Sequence, residues 1–165
     1  MLMLAPGGAA ADGTFRPHYD VFAHPRCTNC HAAGDGPLRR DGRPHLPPAQ
    51  RGPEGAGSGA TTCANCHREA ATPVMPGAPN WKMPSPERPM MFSGRSAAAI
   101  CRQITDPAQN GGRDAEALGR HLVEDPLVAW AWNAGTGRAP PPLAREAFVA
   151  AAIAWIRAGS PCPPD

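Results

Sequence analysis

Two segments of the chain repeat one arrangement of reactive side chains: Cys27-Thr28-Asn29-Cys30-His31 and Cys63-Ala64-Asn65-Cys66-His67. Each places two thiols three residues apart and an imidazole directly after the second. Thiols at that spacing sit about one helical turn apart. This matches the separation of the two vinyl groups on one edge of a porphyrin, so each pair can add across them as two thioethers. The adjoining His then sets its ring beneath the iron. C-x-x-C-H is the attachment pattern of haem c. Two other chemistries use paired cysteines. A pair of zinc knuckles would draw the four thiols into one tetrahedral site. Here 32 residues separate the pairs, more than zinc ribbons usually hold, and zinc does not require a His after each second Cys. A redox C-x-x-C normally sits beside a βαβ pattern, and the sequence contains none.

With these motifs the chain resembles the dihaem c-type cytochromes. The resemblance implies two covalent haem c groups carried on Cys27, Cys30, Cys63 and Cys66, with His31 and His67 as the proximal iron ligands. A weaker likeness covers more of the chain. The runs His24-Pro25-Arg26-Cys27-Thr28-Asn29-Cys30-His31, Pro76-Gly77-Ala78-Pro79-Asn80-Trp81 and Asp125-Pro126-Leu127-Val128-Ala129-Trp130-Ala131-Trp132 are similar to bacterial haem-containing proteins described as subunits of isoquinoline 1-oxidoreductase-type systems. That likeness implies electron transfer beside a dehydrogenase.

Each haem iron has a second axial position. A His there closes the site at lower potential, a Met raises the potential, and an open position admits small ligands. The residues available are His18, His24, His45 and His121, with Met75, Met83, Met90 and Met91. His45 follows His31 by 14 residues in a Pro/Gly-rich loop that must fold back, and we assign it as distal ligand to the first haem. His121 falls on the apolar face of an expected helix beside Leu118 and Leu122, and we assign it to the second. The alternatives are a solvated loop residue for His45 and a core-boundary residue for His121. His24, three residues before Cys27, either reaches across to the other haem or lies at a haem edge, and His18 is a weaker candidate of the same kind. Met75-Pro76 and Met83-Pro84 resemble the methionine loop of single-haem class I cytochromes; otherwise they are flexible packing. Arg26, Arg39, Arg40 and Arg43 suit haem propionates, because a guanidinium matches a carboxylate. Trp81, Trp130, Trp132 and Trp155 read as core or haem-packing residues.

The elements that must position these groups are helical. Helices are expected in the segment before Cys27, over 61–71 with Thr61 or Thr62 as N-cap, over 96–105, over 114–124 and over 143–158. The last carries Leu143, Ala147, Phe148, Ala151, Ala152, Trp155 and Ile156 on one stripe, with Gly159 beyond it as a C-cap. Residues 39–60 and 72–89 read as irregular Pro/Gly-rich wraps. The fold class is therefore all-α, with short helices and long loops wrapped around two covalent haems. The 22 Pro, 18 Gly and only nine aromatic residues among 165 leave a thin core for one domain over 12–165, so the chain without cofactor should fold poorly. Residues 1–11 look like the remnant of a signal peptide or a disordered terminus. Haem c is attached outside the bacterial cytoplasm, so a periplasmic location follows. In that oxidising compartment the two remaining cysteines, Cys101 and Cys162, are expected to form a disulfide. The net charge of +2 is too mild for a nucleic-acid binder, and no apolar run is long enough to cross a membrane.

The expected function is electron transfer with a redox partner protein, a dehydrogenase or another cytochrome, rather than catalysis. The alternatives are a dihaem peroxidase-like enzyme or a haem-based sensor, and both need one open iron site with suitable groups around it.

Overall fold

The computed structural model describes residues 14–40 and 42–165; the expected signal remnant at 1–11 lies outside them. Seven α-helices form among the described residues: α1 (Arg16–Phe22), α2 (Pro25–Thr28), α3 (Cys63–Cys66), α4 (Ala97–Thr105), α5 (Ala115–Glu124), α6 (Pro126–Trp130) and α7 (Arg145–Arg157). One short hairpin joins β1 (Leu38–Arg39) to β2 (Arg43–Pro44), antiparallel, with Arg39 opposite Arg43. The fold is thus mostly helical with long loops, and all-α is an approximation. None of the described helices is long and apolar enough to cross a membrane.

The longer helices start where their caps dictate. Ser96 accepts from the Ala99 amide and Asp114 from the Ala117 amide, each supplying an acceptor to an otherwise orphaned donor. At the end of α7, Gly159 adopts φ +84° and the Ser160 amide returns to the Trp155 carbonyl, the left-handed stop expected of this glycine. Phe15, Val21 and Phe22 of the α1 region pack with Phe92, Ile100 and Ile104, Leu118 and Leu122, and Phe148, Ala152 and Trp155. The core therefore lies where α1, α4, α5 and α7 meet. Cys101 and Cys162 are joined as expected, with Cα atoms 5.5 Å apart, pinning the C-terminal tail to α4.

Three elements depart from the sequence reading. The helix expected over 61–71 stops at Cys66, because the chain must turn back: the Thr72 amide bonds the Met75 carbonyl and the Ala78 amide bonds the Arg68 carbonyl. Residues 39–44, read as irregular, lie in the hairpin, with Arg40 at φ +55° and Gly42 at φ +86° between its strands. The helix α6 was not expected, although Asp125 caps it and Pro126 occupies its first turn.

Among the described residues between 33 and 91, only Ala78 and Met83 are buried apolar side chains. Polar and backbone contacts organise this half instead. Arg51, 2% exposed, donates to the carbonyls of Pro84 and Gly34, and its own amide bonds the Asp35 carbonyl. Gly55 sits at φ +75°, where a Cβ would come within 2.0 Å of the Met83 carbonyl oxygen. That contact leaves no room for a side chain. Gly55→Ala should therefore lower stability by about 1–3 kcal/mol, measured as a shift of the denaturant midpoint. An unchanged midpoint would mean that loop 51–57 moves freely away from Met83.

Candidate functional site

Both C-x-x-C-H segments fold as one turn of helix. In α2 the turn begins at His24, whose Nδ1 accepts from the Arg26 amide, followed by Pro25 in the first turn. The His31 amide then donates to the Cys27 carbonyl at 2.9 Å, and the His67 amide to the Cys63 carbonyl at 2.8 Å. The same bond in the two motifs sets the two sulfurs a turn apart and sends the imidazole off just beyond them.

The two imidazoles are also held alike. His31 Nδ1 is 2.6 Å from the Met90 carbonyl oxygen, and its ring lies flat on Phe92 at 4.0 Å. His67 Nδ1 is 3.0 Å from the Pro76 carbonyl oxygen, and its ring lies flat on Trp81 at 4.2 Å. A carbonyl only accepts, so each Nδ1 carries the proton and each Nε2 keeps a free lone pair. Burial keeps both rings neutral: it holds His31 down at about 4, and it lowers His67 as well. A neutral imidazole with bare Nε2 and fixed Nδ1–H is the form that binds a metal.

Cys27, Cys30, Cys63 and Cys66 are free thiols. Burial pushes Cys27 up to about 12 and Cys30 up to about 11. Redox-active C-x-x-C thiols have the opposite character, a depressed pKa. Cys63 is near enough to raise Cys30 further, so the two motifs lie side by side. Among the described residues no three His, Cys, Asp or Glu side chains converge as ligands of one ion.

The other histidines divide clearly. His45 faces His67, with ring centroids 6.0 Å apart. Two imidazoles sharing one metal atom would stand at about that separation, given N–metal bonds of about 2 Å on each side. The His45 Nδ1 is 2.7 Å from the Pro47 carbonyl oxygen, again leaving Nε2 bare. His121 lies close enough to His31 to lower its pKa. The sequence reading gave His45 to the first motif and His121 to the second; in the fold His45 stands beside the histidine of the second motif. The reason is local. The Leu38 amide bonds the Asn29 carbonyl, and Asn29 Nδ2 donates to the Arg40 carbonyl. The hairpin is thereby clamped on the first motif and directs the chain after β2 toward the second. His121 rides on α5, which packs on the same core as α1 and the first motif.

His24 is used as a helix cap, and His18 is wholly buried among Phe15, Phe22, Phe148 and Trp155. Met83 is buried beside Gly55, while Met90 serves His31 through its carbonyl. In the Met75-Pro76 loop it is the Pro76 carbonyl that meets a motif histidine.

Sequence reading missed several contributors. Arg51 and Arg113 lie close enough to lower His31, Arg138 to lower His67, and Arg113 and Lys82 to lower His121. These cations surround the histidines and suit bound carboxylates. Of the arginines singled out from sequence, Arg26 lies within charge range of Cys27 and Cys30; Arg39 and Arg43 face each other on the hairpin. Trp130 meets Trp81 edge-on at 4.8 Å, and its buried Nε1 has no hydrogen-bond acceptor among the described residues. A buried indole N–H without a partner is uncommon, and here it stands beside the His67 stack. The residues present therefore fit haem: paired thiols, oriented imidazoles, cations for propionates, an orphaned donor, and a loop region with almost no apolar core of its own.

The chain matches no protein-family model, no curated protein and no solved structure.

Proposed function

We propose that this chain is a periplasmic dihaem electron carrier. Thioethers on Cys27 and Cys30 and on Cys63 and Cys66 would hold two haem c groups. His31 and His121 would ligate one iron, and His67 and His45 the other. A bound haem supplies reversible one-electron chemistry at its iron. The observation that carries the reading is the repeated site: a one-turn C-x-x-C helix, a neutral His with Nδ1 spent on a carbonyl, and an aromatic ring stacked behind it. The polypeptide fixes the orientation of each imidazole, screens it from water with Phe92 or Trp81, and wraps the loops of 33–91 around apolar surface they do not themselves supply.

A carrier is favoured over an enzyme or sensor because a second histidine lies near each motif histidine, and catalysis or gas sensing at iron needs an open position. The partner would be a dehydrogenase or another cytochrome, in keeping with the likeness to isoquinoline 1-oxidoreductase-type subunits, and contacts of this kind are small and transient. The Cys101–Cys162 bond suits an oxidising compartment.

The test is expression with a signal peptide and haem c maturation machinery, followed by a pyridine haemochrome spectrum and the protein mass. Two covalent haems per chain are expected. A haem-free chain under active maturation, with thiols free or zinc bound, would overturn the reading. In the loaded protein His45→Ala should open the second-motif iron to carbon monoxide and leave the first closed. If both irons stay low-spin and refuse carbon monoxide, His45 is not a ligand.

A further inference from the structure

We propose that Asp125 is a positioning residue for His121, and that it makes the two iron sites unequal. This rests on the reading of His121 as an iron ligand. Asp125 stands between α5 and α6 and serves both. Its Oδ2 lies 3.0 Å from His121 Nδ1, and its Oδ1 accepts from the Leu127 amide at 2.8 Å. Bound to a metal through Nε2, the His121 ring would be neutral. A neutral imidazole beside a carboxylate must put its one proton on the nitrogen that faces it. Nδ1 is therefore the donor, and Nε2 is left bare.

The carboxylate has two acceptor oxygens, and two donors use them. An asparagine amide has only one acceptor oxygen, so it cannot satisfy the Leu127 amide and His121 Nδ1–H together. With its oxygen on Leu127, its NH2 would face Nδ1 and drive the His121 proton to Nε2, where it blocks a metal bond. With the amide flipped, the cap of α6 is lost instead. Asp125 is thus chosen by a requirement for two acceptors, which its capping role alone does not explain, since Asn and Ser cap as well as Asp.

The comparison with His45 gives the second half. His45 Nδ1 meets a neutral carbonyl, that of Pro47, whereas His121 Nδ1 meets a charged carboxylate. A carboxylate draws the Nδ1 proton more strongly and makes the ring a more basic ligand. More electron donation to iron favours its oxidised form, so the His31/His121 site has the lower potential and the His67/His45 site the higher. Electrons would then run from the first motif toward the second.

The test compares haem-loaded wild type with Asp125→Asn, Asp125→Ser and Asp125→Glu. All should carry two covalent haems, because neither thioethers nor proximal histidines are touched. Fewer than two in the wild type would overturn the haem reading, and with it this proposal, which needs an iron for His121. In the wild type, redox titration should resolve two potentials. In Asp125→Asn and Asp125→Ser the lower potential should rise while the upper one stays. His121 should hold its iron about 10–100-fold less tightly, seen as one haem turning partly high-spin and binding carbon monoxide. Asp125→Glu should restore low spin in part. Asp125→Ser keeps the helix cap, so it separates positioning from folding. Unmoved potentials and fully low-spin irons in folded Asp125→Ser would overturn the proposal.

Discussion

Replacing Cys101 and Cys162 together by alanine should lower stability by about 4 kcal/mol. The bond closes a loop of 61 residues, and an open loop of that length restores to the unfolded chain the entropy that the cross-link withholds. Alanine is the better replacement. Cys101, on α4, is wholly buried in the core, where a serine hydroxyl would need a partner. The loss is large relative to the stability of an ordinary domain, about 5–15 kcal/mol. It also matters here because the apolar core is small and gathers where four helices meet. Other contacts oppose it: Trp155 Nε1 donates to the Pro161 carbonyl at 2.9 Å, and Arg102 pairs with Asp165 at 2.8 Å. The second pair is exposed and adds little. The measurement is urea unfolding of the haem-loaded double variant. A loss below about 1 kcal/mol would show that the Trp155–Pro161 contact alone fixes the tail, or that the unfolded chain is already compact in this loop.

Much of this architecture could be read from the sequence because the signals were local. Ser96 and Asp114 announce α4 and α5 by the chemistry of a cap, and the stripe from Phe148 to Trp155 announces α7 by its period. The C-x-x-C-H spacing declares its own turn. What could not be read depends on contacts across the chain. His45 was assigned to the nearer motif because sequence distance was the only distance on hand. The hairpin that carries it away is set by Asn29, which bonds Leu38 and Arg40 on both sides of a turn with little strand pattern. Likewise Pro76, Met90, Phe92 and Trp81 meet the motif histidines through carbonyls and ring faces. No residue-type rule marks a carbonyl that will be used. Asp125 is an intermediate case. Asp-Pro at a helix start signals a cap, and His121 stands four residues earlier, so the pair was visible in outline. Its second hydrogen bond was not.

A second large effect is expected on acidification, and it centres on His18. This ring is 0% exposed and packed against Phe15, Phe22, Phe148 and Trp155, with centroids 5.4–6.3 Å away. The Phe15 and Thr14 carbonyls offset part of the desolvation, yet neither ring nitrogen makes a hydrogen bond of normal geometry. Burial therefore holds its pKa down at about 4, well below the ordinary 6.5 of an exposed imidazole. In the unfolded chain His18 takes a proton as the pH falls through 6.5, while in the folded protein it stays neutral until about 4. The unfolded state thus binds more protons in that window, and stability falls as pH falls. Its contribution is fully present above pH 6.5 and lost by about pH 4, a decline of about 3 kcal/mol. His18→Leu keeps an apolar side chain in the cage, removes two buried ring nitrogens that make no hydrogen bond of normal geometry, and should be no less stable at neutral pH. Denaturant unfolding of both haem-loaded proteins across this window isolates the single imidazole, because every other titrating group is common to both. The wild type should lose stability relative to the variant as the medium is acidified. Parallel curves would mean that His18 takes up its proton in the folded protein as readily as in the unfolded one, which only water within the aromatic cage would allow.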